Sequence, residues 1–199
     1  MTGILKVDQW KDSGDNALIS SNGSGALTFN ASSITGVATV NGITDADEWR
    51  LTTDYAPGSS GTQYITSNWE RNDNRFNKIG NGMTQSSGVF SFPNTGIYLI
   101  QCLIGFNNNQ NANYIGGFVQ VTSDNSTYVT AGQGFSNINY TNFGGSMNTT
   151  VYFNFMFNVS STSTHKCKMA TSSNSGNYNV LGSSVANLTS MTFIRLGDS

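Results

Sequence analysis

Residues 151–159 read VYFNFMFNV and alternate strictly between large apolar side chains and a second set of residues. In a β-strand, this period of two puts Val151, Phe153, Phe155, Phe157 and Val159 on one face. A helix would spread the same side chains around its circumference. Full burial of each would stabilise the fold by about 1.5–3 kcal/mol. The segment therefore predicts a β-strand whose apolar face lies in a core.

The opposite face of this strand carries Tyr152, Asn154, Met156 and Asn158. That mixture is too apolar for a fully solvated face and too polar for a second core, and it is typical of a subunit interface. Two scattered apolar residues on an ordinary surface remain the alternative. Tyr152 and Met156 are therefore candidates for a trimer interface.

Short apolar runs separated by turn residues recur from residue 47 to the C-terminus, which predicts a single β-sandwich or barrel over residues 47–199. The predicted strands are 48–55, 63–70, 75–80, 88–92, 97–106, 114–122, 127–135, 148–159, 165–171 and 187–196.

Composition excludes several other classes. Only 10% of the residues are charged, Glu occurs only at positions 48 and 70, and about half of the chain is Gly, Asn, Ser or Thr, so an all-helical fold is excluded. The net charge of -2 argues against nucleic acid as a partner. No segment has the apolar length of a membrane span, and the N-terminus is not typical of a signal peptide.

Asp124 is the only Asp, Glu, Lys or Arg between Lys78 and Lys166. Such a surface, solvated by amides and hydroxyls, indicates an extracellular or particle-surface protein.

Residues 1–46 are rich in strand patterns but too few and too polar to bury their own core. Residues 4–10 are predicted as a strand, and Asn22-Gly23 between two alternating runs predicts a tight hairpin. We expect this segment to pack on symmetry copies or on another protein. Its candidate attachment residues are Ile4, Leu5, Val7 and Trp10.

Residues 88–98, GVFSFPNTGIY, are similar to the motif of the jelly-roll superfamily of tumour necrosis factor and the complement C-one-q globular heads. The motif residues are Gly88, Phe90, Pro93, Gly96 and Tyr98, followed by an apolar strand. The resemblance implies an antiparallel, ten-stranded jelly roll that forms a homotrimer. In this family the final strand lies mid-sheet beside the first. Phe76 and Ile79 are then expected in the core, and the Tyr98 hydroxyl is expected to face a partner subunit, which makes Tyr98 a third trimer-interface candidate.

Metal sites of that family use clustered Asp residues in loops, whereas Asp124 stands alone here. The cluster Asp45, Asp47 and Glu48 could hold a cation, but a solvated linker into the first sandwich strand is the favoured interpretation. No cofactor or metal is therefore expected.

The N-terminal region carries a second resemblance. Residues 2–29 look like the opening of predicted virion proteins of phages that infect marine and freshwater bacteria, and residues 34–44, ITGVATVNGIT, resemble the rungs of phage fibre shafts. This resemblance implies a segment that docks onto a particle or trimerises, with other virion proteins as partners.

Catalysis is not expected. His165 is the only histidine, has no acid near it in sequence, and is interpreted as a strand residue on a solvated face. The body of the domain after Glu70 offers only Asp73 and Asp124 as a carboxylate pair for glycoside hydrolysis. Cys102 and Cys167 could pair, but buried thiols are the favoured interpretation.

Two segments rich in amides and aromatic side chains, 106–114 and 134–148, are predicted as binding loops. Amides provide hydroxyl partners and aromatic rings provide an apolar plate, which suits a neutral glycan. The alternative is that these loops are only soluble and that their aromatics close the sandwich or the trimer axis. The receptor-binding candidates are Asn107, Asn108, Asn109, Asn111, Tyr114, Phe135, Tyr140 and Phe143.

Together these patterns predict a non-enzymatic, homotrimeric virion protein on the particle surface of a tailed phage, most consistent with a short tail fibre that recognises the host. A capsid decoration protein is the main alternative, and a secreted complement-like lectin is a remote one.

Overall fold

A computed structural model describes residues 9–21, 27–29, 42–139 and 145–198. Within these ranges the chain forms sixteen β-strands and no α-helix, and hence no helix able to cross a membrane. The chain divides into two compact units, Met1–Asn41 and Gly42–Ser199. The domain boundary predicted after residue 46 lies at the start of the first strand of the second unit, Ala46–Leu51.

The N-terminal unit contains an antiparallel sheet of three strands, β1 (Gln9–Lys11), β2 (Ala17–Ser21) and β3 (Leu27–Phe29). The strands β2 and β3 form an antiparallel hairpin in the predicted place, with Ser21 paired to Leu27. The tight turn expected at Asn22-Gly23 lies outside the described residues and stays a prediction. The β1–β2 connection was not predicted. Its turn is closed by Asp12, whose Oδ1 accepts hydrogen bonds from the backbone N–H groups of Gly14 and Asn16.

One sheet of the C-terminal unit has seven strands. Five form a continuous path in the order β13 (Met147–Val159), β10 (Gly96–Asn108), β16 (Thr189–Gly197), β4 (Ala46–Leu51) and β6 (Trp69–Arg71). The short strands β15 (Tyr178–Val180) and β7 (Lys78–Ile79) pair with β10 and β4 respectively.

The second sheet has six strands, with the path β12 (Val129–Ile138), β11 (Ala112–Thr122), β14 (Lys166–Ser173), β9 (Val89–Ser91) and β8 (Thr84–Ser86). The strand β5 (Gly61–Tyr64) pairs with β14. All pairings are antiparallel within the described residues, which confirms the predicted all-β antiparallel sandwich.

The C-terminal strand β16 lies between β10 and β4, in the middle of the seven-stranded sheet. This confirms the position that the resemblance implies for the final strand. The predicted strand 63–70 was wrong in one respect, because it is two short strands in different sheets, β5 and β6. The strands β8 and β15 were not predicted.

The core lies between the two sheets. Val151, Phe153 and Val159 are buried, and Phe155 and Phe157 pack against the same cluster, which confirms the alternation predicted for β13. Phe90 lies at the centre, with its ring edge-to-face against both Trp49 and Trp69. Cys102 and Cys167 are buried free thiols, which confirms the interpretation favoured over a disulfide.

The turn before Phe90 explains the first glycine of the motif. Ser87 and Gly88 connect β8 to β9, and both have positive φ, at 49° and 79°. Two consecutive positive φ angles belong to the type I′ turn of a two-residue hairpin, in which glycine is strongly preferred. A Cβ atom on Gly88 would also lie 2.1 Å from the carbonyl oxygen of Ile65.

Three expectations about individual residues were wrong. Phe76 and Ile79 are exposed, because the chain from residue 73 to 77 forms a turn on the surface and β7 is an outlying strand of two residues. Tyr98 is 1% exposed and belongs to the core. Its hydroxyl donates to the carbonyl oxygen of Asn94 at 3.0 Å, so it is not available to a partner subunit.

Candidate functional site

The outer face of the seven-stranded sheet carries an apolar surface on its three adjoining strands β13, β10 and β16. We define the β10/β13 face by its large apolar side chains, which are Leu99, Leu103, Tyr152, Met156 and Ile194. Tyr152 is 56% and Met156 69% exposed, and the other three are partly exposed.

Strand register arranges these side chains in rows. Leu99 lies between Met156 and Ile194 in one row, and Leu103 is opposite Tyr152 in another. Gln101 lies between the two rows and donates from Nε2 to the Tyr152 hydroxyl at 2.8 Å, which holds that ring on the face. Cross-strand neighbours of this kind form a continuous surface. The β10/β13 face is therefore a contiguous apolar patch, a feature that marks interaction sites.

Sequence reasoning identified Tyr152 and Met156 on this face but missed Leu99, Leu103 and Ile194. A signal was present in residues 97–104, where nearly every side chain is apolar and the alternation seen in β13 is lost. A strand that is apolar on both faces needs cover on both.

Asparagine side chains form a row at one end of the same sheet. Asn107 on β10 is in register with Asn148 on β13 and Asn179 on β15, and its Nδ2 donates to Asn148 Oδ1 at 2.9 Å. Asn107 and Asn179 also line a polar pocket of about 210 Å³ with Asn109 and Asn177. Two of the predicted receptor candidates, Asn107 and Asn109, therefore lie in one pocket.

The predicted loop 106–114 is shorter than expected. The strand β10 continues to Asn108 and β11 begins at Ala112, so only residues 109–111 form the connection. Asn108 was wrong as a receptor candidate, because it is 1% exposed. Its Oδ1 instead accepts a hydrogen bond from the backbone N–H of Gln110 at 3.0 Å and so shapes the turn. Asn111 is exposed in this connection.

Tyr114 and Phe135 form an exposed aromatic pair on the outer face of the six-stranded sheet. Their ring centroids are 6.1 Å apart in an edge-to-face arrangement, and both side chains are exposed. The residue opposite Phe135 is Gly116, and a Cβ atom there would lie 2.5 Å from the Phe135 ring. The glycine therefore makes room for the ring to lie flat along β11.

The structure separates the candidates that the sequence placed together. The asparagine row lies on the outer face of one sheet and the aromatic pair on that of the other. Tyr140 and Phe143 lie outside the described residues, as do the attachment candidates Ile4, Leu5 and Val7. The fourth attachment candidate, Trp10, is 56% exposed.

The acidic cluster is not a solvated linker, and that expectation was wrong. Asp45 and Asp47 are buried. Asp47 accepts hydrogen bonds from Arg71, from the Trp49 indole and from the backbone N–H of Met83, so it connects β4 to β6 and to the chain before β8. In the described part of the chain, no three His, Cys, Asp or Glu residues are placed to hold a metal ion.

His165 was also placed wrongly on a solvated face. It is buried, and its ring lies 5.6 Å from that of Phe157. Its ring nitrogens are 3.1 Å from the Thr164 hydroxyl and 3.4 Å from the Ser160 hydroxyl. A nucleophile–base–acid arrangement needs an acid behind the imidazole, and both hydrogen-bond contacts described for the His165 ring are to hydroxyls.

Asp124 has a structural role in the turn between β11 and β12. Hydrogen bonds from the backbone N–H groups of Ser126 and Thr127 and from the Thr122 hydroxyl hold the pKa of this carboxyl well below its usual range. Oδ1 accepts all three of these hydrogen bonds, so this oxygen is committed to shaping the loop.

Neither a protein-family model nor a curated protein sequence matches the chain. Solved structures do resemble the fold. The crystal structure of murine APRIL superposes with a TM-score of 0.54 at 13% identity, over 76% of this chain and 98% of that one. The structure of Eiger TNF from S. frugiperda gives a TM-score of 0.53 at 14% identity, over 77% and 93%. At these identities the likeness establishes the fold, a jelly roll of the tumour necrosis factor type.

Proposed function

We propose that the chain is a non-enzymatic, homotrimeric structural protein on the particle of a tailed bacteriophage. In this proposal residues 1–46 attach it to other virion proteins, and the jelly roll, as a short tail fibre, contacts the host surface. The observation that carries the proposal is the exposed β10/β13 face, on which Tyr152 is 56% and Met156 69% exposed.

The composition of the β10/β13 face supports self-association. Its apolar side chains are neighbours across three paired strands, and Tyr152 and Met156 are each more than half exposed. A second copy of the chain that covered this face would remove these side chains from water. The fold likeness favours a trimer, since the superfamily that the motif resembles forms homotrimers.

Host recognition is supported by the Tyr114–Phe135 aromatic pair and by the polar pocket at the asparagine row. The exposed rings of Tyr114 and Phe135, which lie edge-to-face, each offer an apolar face to the C–H groups of a sugar. Asn107, Asn109, Asn177 and Asn179 offer both donors and acceptors to sugar hydroxyls. Neither surface relies on charge, so binding through them is expected to persist at high salt.

Attachment through the N-terminal unit is supported by its separate, small sheet. Among the described residues this sheet has three short strands with β1 and β3 at its edges, and Trp10 is exposed, which suits docking by strand addition. Docking by strand addition would also suit a capsid decoration protein, which is the alternative function.

Localisation on the virion tests the proposal. Phage particles carrying the protein would be labelled with a specific antibody and imaged by electron microscopy. Label at the tail tip supports the fibre, label on the capsid faces supports the decoration protein, and no label on particles contradicts both. Light scattering of the purified protein provides the second test, because a monomer would contradict the trimer.

A further inference from the structure

We propose that Asn81 is a site of spontaneous deamidation in the folded protein, where a cyclic imide with the nitrogen of Gly82 converts it to aspartate and isoaspartate. Asn-Gly pairs occur at residues 22–23, 41–42 and 81–82. The pair at 81–82 lies in the described connection between β7 and β8. The inference does not depend on the proposed function, because the reaction needs only the protein and water.

The reaction begins when the backbone nitrogen of Gly82 attacks the side-chain carbonyl carbon, Cγ, of Asn81. Glycine has no side chain to crowd this attack. The fold also requires glycine here, because φ of Gly82 is 70° and a Cβ atom would lie 2.6 Å from Lys78 Cδ and 2.9 Å from Asp47 Oδ2. The reactive pair is therefore built into the turn.

Both reacting groups are free of competing contacts. Asn81 is exposed, and its side-chain amide makes no hydrogen bond to the described residues. The N–H group of Gly82 likewise has no acceptor among them. Its neighbours are held, since Asn81 N–H donates to Asp45 Oδ1 at 3.2 Å and Met83 N–H to Asp47 Oδ2 at 2.7 Å. The nitrogen that must attack is therefore the one of these three that no carboxylate holds.

Lys78 favours ionisation of this nitrogen. Its Nζ donates to the carbonyl oxygen of Asn81 at 2.7 Å. That oxygen belongs to the same peptide group as the Gly82 nitrogen, so resonance places on it part of the negative charge that forms when the N–H proton leaves. The ammonium group stabilises this charge more strongly than it stabilises the neutral peptide. The lysine therefore accelerates the attack.

The chemical steps balance with water as the co-reactant. The Gly82 N–H proton passes to solvent, the nitrogen forms a bond to Asn81 Cγ, and Nδ2 takes up a proton and leaves as ammonia. Water then opens the imide. Cleavage of the new bond to Cγ gives aspartate, and cleavage of the original peptide bond gives isoaspartate, in which the main chain runs through Cγ. One water is consumed, one ammonia is released and one negative charge is gained.

The product lies between two anchors of buried carboxylates. The N–H groups of residues 81 and 83 bind Asp45 and Asp47 respectively. Isoaspartate lengthens the main chain between these anchors by one carbon atom, and either product adds a negative charge beside Asp45. Like charges close together disfavour each other. We therefore expect the modified protein to unfold at a lower temperature, so the site acts as a one-way ageing switch.

Peptide mapping by mass spectrometry tests the modification in the intact, folded protein held for days at mildly alkaline pH. We expect Asn81 to gain one dalton and to give two separable products. Ser126→Gly provides a matched control, because it creates a second exposed Asn-Gly pair whose N–H is held by Asp124 Oδ1, at 2.8 Å in the native chain. An unmodified Asn81, or equally fast reaction of Asn125 in this variant, would overturn the proposal.

Lys78→Met tests the role of the ammonium group, because it keeps the stem of the side chain and removes the charge. The rate at Asn81 is expected to fall about tenfold in the folded protein, the size of one charge-assisted hydrogen bond to the reacting group, and to be unchanged in urea. Lys166→Met removes an ammonium that donates to Ser91 on the other sheet and should leave the rate unchanged. Equal rates for both variants in the folded state would contradict the role of Lys78.

Thermal melting tests the effect on the anchors. Fresh and aged samples of the wild type would be compared with fresh and aged Asn81→Gln, which keeps an amide but would need a larger ring to react. The aged wild type should melt at a lower temperature than the fresh protein, and Asn81→Gln should not change with age. Equal losses in both proteins would assign the ageing to another site and contradict the proposed switch.

Discussion

The guanidinium of Arg71 closes over the buried carboxylate of Asp47, with Nε 2.9 Å from Oδ1 and Nη2 3.1 Å from Oδ2. The same guanidinium lies 4.8 Å from the centroid of the Trp49 ring. One ion pair thus joins β4 to β6 and fixes an indole that packs on Phe90.

Asp47→Asn is expected to lower the free energy of unfolding by about 3–5 kcal/mol, because it leaves Arg71 without its buried counter-charge. Asp198→Asn removes an exposed partner of Arg195 and should cost at most about 1 kcal/mol. Urea unfolding followed by tryptophan fluorescence measures both. If the two variants lose similar amounts of unfolding free energy, the Asp47–Arg71 pair contributes no more to stability than an exposed pair.

Tyr98 is expected to make stability fall at alkaline pH. Burial, with the negative charge of Asp45 adding to it, raises the pKa of Tyr98 from 10.0 to about 12. The unfolded chain therefore ionises first as the pH rises, and stability is lost between about pH 10 and pH 12.

Tyr98→Phe removes this ionisation and should cost about 1 kcal/mol at neutral pH through the lost hydrogen bond to Asn94. The difference from the wild type should shrink at about pH 11, where only the wild type is losing stability through this group. Urea unfolding of both proteins, at neutral pH and at about pH 11, measures this difference in unfolding free energy. A constant difference would contradict the raised pKa.

Met156→Lys is expected to convert the proposed trimer to a monomer, because it places an unpaired charge where the β10/β13 face would be desolvated. Val129→Lys on the other sheet should leave the trimer intact, since that valine is comparably exposed but outside the face. Light scattering measures the mass, and thermal melting reports on the fold. If the Met156→Lys variant is still a trimer, the β10/β13 face is not the trimer interface.

Phe135→Ala is expected to weaken adsorption of particles to host cells about threefold to tenfold, the size of one lost aromatic contact. Val129→Ala shortens another exposed side chain of β12 and serves as the control. Particles with each variant would be counted after adsorption. If both adsorb like the wild type while their trimers are intact, the aromatic pair has no role in recognition.

Cys102 and Cys167 are expected to resist thiol reagents in the folded protein. Burial raises the pKa of both thiols, so little thiolate is present and the reagent has no access. Reaction with a chromogenic disulfide should begin only when urea unfolds the domain. Rapid reaction of the native protein would contradict the buried positions.

The parts of the fold that were predictable depend on residues close in sequence. Alternation over residues 151–159 needs only local geometry, so both faces of β13 were identified correctly. Gly88 and Phe90 share one hairpin, so this part of the motif also depends only on residues close in sequence. The β5–β6 division was missed because the chain leaves one sheet for the other within four residues, and no turn signal such as Asn-Gly marks the change.

Some of the errors involve partners that are distant in sequence. Asp47 looked like a solvated linker because Arg71, which neutralises it, is brought near only when β4 pairs with β6. The Tyr98 error is local, because the carbonyl oxygen of Asn94, four residues away, accepts the hydrogen bond from the Tyr98 hydroxyl through the geometry of the turn between them. The full β10/β13 face exists only because β10 pairs with both β13 and β16.

The position of β16 has a consequence for synthesis on the ribosome. The strand β4 finds its central neighbour only when Thr189–Gly197 has been made, so the seven-stranded sheet stays split while most of the domain is already outside the exit tunnel. During that interval the edges of β4 and β10 are both open to pairing with other nascent chains. Polysomes that bring several copies together would expose this chain to mispairing, and a chaperone that shields strand edges would raise its yield.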